Sequence, residues 1–225
     1  PDQLEYANGK LRSGEFIIDL VFRRLSTPEL LVRYDLSHPL LQAYKEGTVC
    51  VVNSFRSDLA QRRAIFELLT DDSVTAKLSS ADRRFIHEFI PWTRLVAHAK
   101  VRRDEGMVDL PNYILQNREQ LVLRPNTHSA EERTYIGGQT SPADWDRALR
   151  NAFRTPYVVQ EAVPLQKEIF PVYQYGDLQM RELEVSVQPH VFSGSAHGVS
   201  AQLTSVKNGV SYQVAAAPVF VLEDI

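Results

Sequence analysis

The sequence predicts an α+β protein, and three observations predict it. Capped and stopped helix patterns dominate the first 119 residues, and from Gln120 the texture changes to short β-branched and aromatic runs. The last third is punctuated by Gly-Asp, Ser-Gly-Ser and Asn-Gly turns of the kind that join antiparallel strands. At 225 residues the chain suits one large domain or two small intimate ones. Its 44% hydrophobic and 24% charged residues match soluble globular proteins and lie far from the composition of disordered chains.

Glu15 to Leu25 reads as a buried strand interrupted by Asp19, and a carboxylate in mid-strand needs a reason. Leu36 to Glu46 is helical, with Ser37 as cap, Pro39 in the first turn and Gly47 as stop, and it feeds a strand over Thr48 to Asn53. A helix over Asp58 to Leu69 is capped by Ser57 and gathers Leu59, Ile65, Phe66 and Leu69 on one face. Ser79 to Ile90 forms another, with Ser80 as cap, Phe85, Ile86, Phe89 and Ile90 at helical spacing, and Pro91 as its end. Lys100 to Glu105 reads as a solvated charged turn, and Val108 to Gln116 as a short helix. Gln120–Arg124 and Thr134–Gly138 read as a hairpin joined by the polar stretch Asn126 to Glu132. Ser141-Pro142-Ala143-Asp144 starts a helix, because the serine oxygen takes an orphan amide, proline suits the first position and aspartate suits the positive end. Trp145 on that helix reads as a core anchor. Thr155 to Val163 is a strand, and Phe170 to Leu222 is mostly antiparallel sheet.

Several function classes lose support on composition alone. Twenty-five basic against 28 acidic residues leave a net charge of −3, with no global basic field for a phosphate backbone, so nucleic acid is not expected as a partner. The apolar run from Val214 to Leu222 contains Pro218 and falls well short of the roughly 20 residues of a membrane helix, so no membrane partner is expected either. Cys50 is the one cysteine; in the apolar stretch Val49-Cys50-Val51-Val52 it is expected to be buried, and a reducing, cytoplasmic setting fits best. The chain begins at Pro1, so an upstream region of the same protein is expected as a partner. Phosphate-loop, dinucleotide-loop, nucleophile-elbow and zinc-protease motifs are absent. His190 and His197 lie seven apart without a nearby cysteine and read as ordinary surface or hydrogen-bonded histidines.

One order of elements carries more. Leu121-Val122-Leu123-Arg124-Pro125 is followed by Tyr135-Ile136-Gly137-Gly138, the capped Trp145 helix, and Pro156-Tyr157-Val158-Val159-Gln160-Glu161-Ala162-Val163. Upstream stand Ile18-Asp19-Leu20-Val21-Phe22-Arg23-Arg24 and Gly47-Thr48-Val49-Cys50-Val51-Val52-Asn53-Ser54, and downstream Ala217-Pro218-Val219-Phe220-Val221. In this order the chain resembles the circularly permuted ATP-grasp family of glutathionylspermidine synthase-like and carboxylate-amine ligase-like proteins, from about Glu15 onward. The resemblance implies an ATP-grasp-like α+β fold. Residues 1–119 would be the N-terminal helix and strand part of the core, 120–163 a small nucleotide-flap lobe and hinge, and 164–225 a β-rich C-terminal part.

It also implies ATP- and Mg²⁺-dependent ligation of a small-molecule acid to an amine through an acyl-phosphate. On that pattern Arg124, Gln160, Glu161 and Val163 hold the nucleotide, Arg23 and Arg24 neutralise the transferred phosphate, and Asp19, Asn53 and Glu184 supply hard oxygens to the metal. The departures are equally specific. Arg124 and Gln61-Arg62-Arg63 stand where the family has lysines, Asn126 to Glu132 lacks a glycine, Val51 stands where some members carry Glu, and Gln202 stands where an Arg is frequent. Glycine lets backbone amides approach a phosphate closely. Its loss therefore favours the alternative of a catalytically inactive ATP-grasp-like scaffold or interaction module. A local reading of Asp19 as the ion-pair partner of Arg23 or Arg24 stands beside the metal reading.

Overall fold

The structure is a computed structural model that describes residues 2–104, 106–127, 133–164, 166–207 and 210–220. Helix and sheet are mixed, as the composition pattern predicts, and three hydrophobic clusters organise them. The expected turn at Asn208-Gly209, the chain end from Val221 and most of the Asn126–Glu132 connection lie outside the described residues.

The N-terminal part is an antiparallel meander of Leu4–Ala7, Lys10–Ser13 and Phe16–Ile18, followed by Leu20–Phe22 in parallel pairing with Cys50–Val52. The single strand expected over Glu15–Leu25 is thus two short strands in two sheets, with Asp19 at the bend between them. The first hairpin turns on Asn8-Gly9, both at positive φ (52° and 70°), a conformation that these two residues tolerate. Leu11, Leu40, Ala43, Val49 and Val51 form the local core. Strand alternation that buries Val49 and Val51 turns Cys50 outward, so the expected burial of that thiol is corrected: it is exposed.

Helix Pro39–Lys45 is capped by His38, whose Nδ1 accepts from the Leu40 amide at 3.3 Å, and not by Ser37. The helix expected over Asp58–Leu69 is two pieces, Ser57–Ala60 and Ile65–Leu69. At the break the Arg63 and Ala64 amides bond to the Asn126 carbonyl (2.9 Å) and side-chain oxygen (2.8 Å), and this tertiary pairing replaces helical continuation. Ser80–Phe89 forms as expected with Ser79 as the cap, yet only Ile86 is buried, while Phe85 and Phe89 lie exposed. Lys100–Arg103 is a strand paired with Gly106–Asp109, where a solvated turn was expected. Arg103 ties this strand to Glu161 and to the Trp92 ring.

The central sheet runs in the order Tyr135–Ile136, Leu121–Pro125, Tyr157–Glu161, Thr93–Leu95, antiparallel throughout. Leu121, Leu123 and Val159 face helices Leu110–Gln116 and Pro142–Ala152, with Trp145 in the middle of the cluster. Trp145 is the core anchor the sequence suggests; its indole N–H donates to the Ile114 carbonyl at 3.2 Å. Leu110 and Ile114 share this core with Leu121 and Leu123, so packing is continuous across positions 119 and 120. Thr93–Leu95 is one of the two edge strands, and its outward amides are covered by the Thr70 hydroxyl and the Glu67 carboxylate. The C-terminal part is a four-stranded meander of Lys167–Gln174, Asp177–Phe192, Ser195–Lys207 and Val210–Ala217, centred on Val172, Leu183 and Leu203. Its first two turns place Tyr175-Gly176 and Ser193-Gly194 at positive φ.

Candidate functional site

Period-two alternation divides the central sheet into two chemical faces. On the face away from the two helices, Thr93 lies opposite Gln160, Gln160 opposite Val122, and Arg124 one diagonal step further. The side chains join into a row. Arg124 Nη1 donates to Gln160 Oε1 at 3.3 Å, and Gln160 Nε2 donates to Thr93 Oγ1 at 2.9 Å. The Arg124 Nε is buried with no hydrogen-bond partner among the described residues. Burial pushes this guanidinium below its ordinary value, and the charge of nearby Arg63 pushes it further, with no carboxylate among the described residues acting against them. Arg63 is fixed beside it because its Nη1 donates to the Pro125 carbonyl at 2.6 Å. Among the described residues the site therefore holds two cations and a neutral acceptor, an arrangement that attracts an anion.

On the opposite face, Glu161 closes a second cluster. Its Oε2 accepts from the Trp92 amide at 3.1 Å, and its Oε1 pairs with Arg103. The Arg103 guanidinium lies 4.9 Å from the Trp92 ring and that of Arg94 lies 5.1 Å from it. Burial works against the Arg103 charge, but the hydrogen bond and charge of Glu161 hold it above its ordinary value. Arg94, only 6% exposed, is depressed by burial and donates to the oxygens of Thr70 and Thr93. Glu161, Trp92, Arg94, Arg103 and Thr70 line a cleft of about 1000 Å³ that Val163 also reaches. The Glu161 and Ala162 amides are bonded to the Trp92 and Gln120 carbonyls, so Val163 is the first expected hinge residue beyond the sheet. Gln160 and Glu161 thus cannot present their side chains to one ligand, although they share a strand.

The remaining expected residues are placed as follows. Arg23 donates to the carbonyls of Asn53 (3.1 Å), Leu25 (2.9 Å) and Ser54 (3.2 Å), to the Thr27 hydroxyl (3.2 Å) and to Asp58 (2.9 Å). A guanidinium has five N–H donors, so as folded Arg23 has none left for a phosphate, and its expected role there is corrected to that of a structural clamp. Its ion-pair partner is Asp58 and not Asp19. Arg24 is exposed at the adjoining position. Asp19 and Asn53, both exposed, lie at opposite ends of the parallel pair. Four residue steps at about 3.3 Å each separate them by about 13 Å, too far for two ligands of one Mg²⁺ at about 2 Å. Glu184 is 8% exposed on the C-terminal meander, opposite Lys167 and Thr204, with Oε2 buried and unpartnered among the described residues. Asp19 and Asn53, as placed, do not fit the metal set the resemblance implies, and the described residues contain no group of three or more acidic, histidine or cysteine ligands.

The Gly137-Gly138 pair has a packing explanation. A Cβ on Gly137 would sit 1.8 Å from the Arg118 carbonyl oxygen, and Arg118 in turn donates to the Gly137 carbonyl at 2.6 Å. The residues that sequence reasoning missed are Thr93, Trp92 and Arg103. Pairing across strands brings them to the site, and the charged run Lys100-Val101-Arg102-Arg103 carries no local signal of it.

No family model matches the chain, and no curated protein matches it. Among solved structures it is similar to the ATP-grasp ligase PsnB complexed with a minimal precursor, with TM-score 0.44 and 12% identity over 96% of this chain and 78% of that one. It is also similar to the ADP complex of PurK, N5-carboxyaminoimidazole ribonucleotide synthetase, with TM-score 0.37 and 15% identity over 89% of this chain and 53% of that one.

Proposed function

We propose that the chain binds ATP with its phosphates against Arg124 and Arg63, and uses it to join a small-molecule carboxylate to an amine through an acyl-phosphate. The circularly permuted ATP-grasp resemblance of the motifs supplies the reaction class. The observation that carries the reading is Arg124, whose one hydrogen-bond acceptor among the described residues is the neutral Gln160 oxygen while a second cation stands beside it. A phosphate oxygen would satisfy the buried Nε and offset both charges at once, and planar guanidinium suits that geometry.

In this reading Arg124 and Arg63 hold the phosphates and neutralise charge as it develops, which is the protein's main contribution to phosphoryl transfer. Val163, beyond the end of the sheet, would bound the base in place of Glu161, which Arg103 and the Trp92 amide engage on the opposite face, and exposed Arg24 would meet the transferred phosphate. The lobes expected at 120–163 and 164–225 and a cytoplasmic setting belong to the same proposal. No step is routed through a metal, because Asp19 and Asn53 lie apart. That separation, with the closed Arg23 clamp, favours a second reading in which the chain binds nucleotide without turning it over, as an interaction module.

Calorimetric titration with a non-hydrolysable ATP analogue, with and without Mg²⁺ and beside Arg124→Ala, tests the proposal. Binding that the substitution abolishes is the expected result. No heat at millimolar ligand, or equal binding by the variant, would remove the nucleotide from Arg124. Turnover of ATP in the presence of candidate acids and amines would then separate the ligase from the module.

A further inference from the structure

We infer that Thr93 is a positioning residue for Arg124 and acts through Gln160; the inference deepens the nucleotide site proposed above and rests on that reading for its consequence in binding. Position 93 is fully buried on a strand, where valine has the same shape and a hydroxyl is costly unless bonded. The hydroxyl is bonded twice. It donates its one hydrogen to the Pro91 carbonyl at 2.9 Å and accepts from Gln160 Nε2 at 2.9 Å.

That first bond fixes the second. With its hydrogen committed to Pro91, Thr93 Oγ1 can only accept, so the Gln160 amide must turn its NH₂ group toward it. The amide oxygen then faces Arg124, which can only donate, at 3.3 Å from Nη1. A flipped amide would set oxygen against oxygen at Thr93 and N–H against N–H at Arg124. The far end of the relay is itself anchored: the Thr93 amide donates to Thr70 Oγ1 at 3.3 Å, and its carbonyl accepts from Arg94 Nη1 at 2.7 Å. Gln160 is thus held in one orientation, and it supplies the acceptor that aims the guanidinium while Nε remains for a ligand.

The test compares Thr93→Val, which keeps the shape and removes the hydroxyl, with Thr93→Ser, which keeps the hydroxyl, in the full chain. Two readouts are taken: the order parameter of the Arg124 Nε–H resonance, assigned by its loss in Arg124→Lys, and the dissociation constant of a non-hydrolysable ATP analogue. In Thr93→Val the order parameter should fall without ligand and the dissociation constant should rise about tenfold, the lower end of what one charge-assisted hydrogen bond supplies. Thr93→Ser should restore both. Because Thr93 acts through Gln160, the double variant with Gln160→Met should bind no worse than Gln160→Met alone. An unchanged Arg124 resonance in Thr93→Val, or additive losses in the double variant, would overturn the inference. If the unaltered chain binds no nucleotide, the ATP reading falls and the resonance alone decides whether Thr93 positions Arg124.

Discussion

Arg23 and Arg124 both belong to strand ends and both withdraw a guanidinium from solvent, yet their surroundings are opposite. Around Arg23 every donor has an oxygen, one of them the Asp58 carboxylate, and the ring of Phe55 lies 4.8 Å from the charge. Around Arg124, among the described residues, one donor has a neutral amide oxygen, one nitrogen is buried without a partner, and a second arginine adds like charge. Identity of side chain and depth of burial therefore do not distinguish a clamp from a ligand site. The count of satisfied donors and the sign of neighbouring charge do.

Substitution should separate the two most sharply at Asp58. Asp58→Ala strips the one carboxylate from a guanidinium whose side chain is 6% exposed, and breaking such a pair costs about 3 kcal/mol, the low end because Asp58 itself meets solvent. Urea unfolding measures it. A loss no greater than the roughly 0.5 kcal/mol of an ordinary surface change would dissolve the distinction from the Arg23 side. Arg124→Met should behave in the opposite way. Removing an unpaired buried charge for an apolar chain of similar length is expected to leave stability unchanged or raise it by about 1 kcal/mol or more, while nucleotide or phosphate binding is lost. A large destabilisation with binding intact would make Arg124 a clamp as well.

The difference between these two arginines was not legible in the sequence, although much of the fold was. Ser141-Pro142 announces its helix because capping is decided within four residues, the Ser79-Ser80 pair announces its own within one residue of the true cap, and the Gly-containing turns announce the C-terminal meander for the same reason. Local signals for Ser26-Thr27-Pro28-Glu29, which forms a full capping box, and for the Asn8-Gly9 hairpin were present and unread. The split of the helix at Arg63–Ala64 could not be read locally, since its cause is Asn126, more than sixty residues away. The same limit applies to the site. The order of motifs named Arg124 and Gln160, which do meet, whereas the engagement of Arg23 with Asp58, and the four-step separation of Asp19 from Asn53, depend on register and long-range pairing.

A third arginine tests whether the rule extends to intermediate cases. Arg103 is half-withdrawn, stacked on Trp92 and paired with Glu161, whose other oxygen also serves the Trp92 amide. Glu161→Ala removes both services at a partly exposed position, so a loss of about 1–2 kcal/mol is expected, between the Asp58 and surface values. Glu161→Gln keeps the acceptor for the Trp92 amide and should recover part of it. Equal losses in the two variants would assign the whole effect to the Arg103 charge pair.

The smallest effect expected is in the pH dependence, where the clamp and the sheet edge should act with opposite sign. Burial pushes Asp58 up, but hydrogen bonds from Thr27 and Arg23, with the Arg23 charge, overcome it and hold the carboxyl below its ordinary 3.8. The folded state therefore binds that proton more weakly than the unfolded chain. Its contribution is fully present above about 3.8 and disappears as pH falls through the lower folded value. Glu67, half-buried at the sheet edge, is raised above its ordinary 4.5 by burial, against the Leu95 amide and the Arg94 charge. Its ionised form costs stability above the folded value, and that cost is relieved as pH falls toward 4.5. Unfolding free energies across this acid range should show the gap between the unaltered chain and Asp58→Asn closing only at the acid end. Glu67→Gln should instead gain on the unaltered chain above the raised value and lose that advantage before Asp58 begins to titrate. If Asp58→Asn closes its gap in the higher window, Arg23 does not hold the Asp58 charge in the folded state, and the contrast with Arg124 loses its electrostatic half.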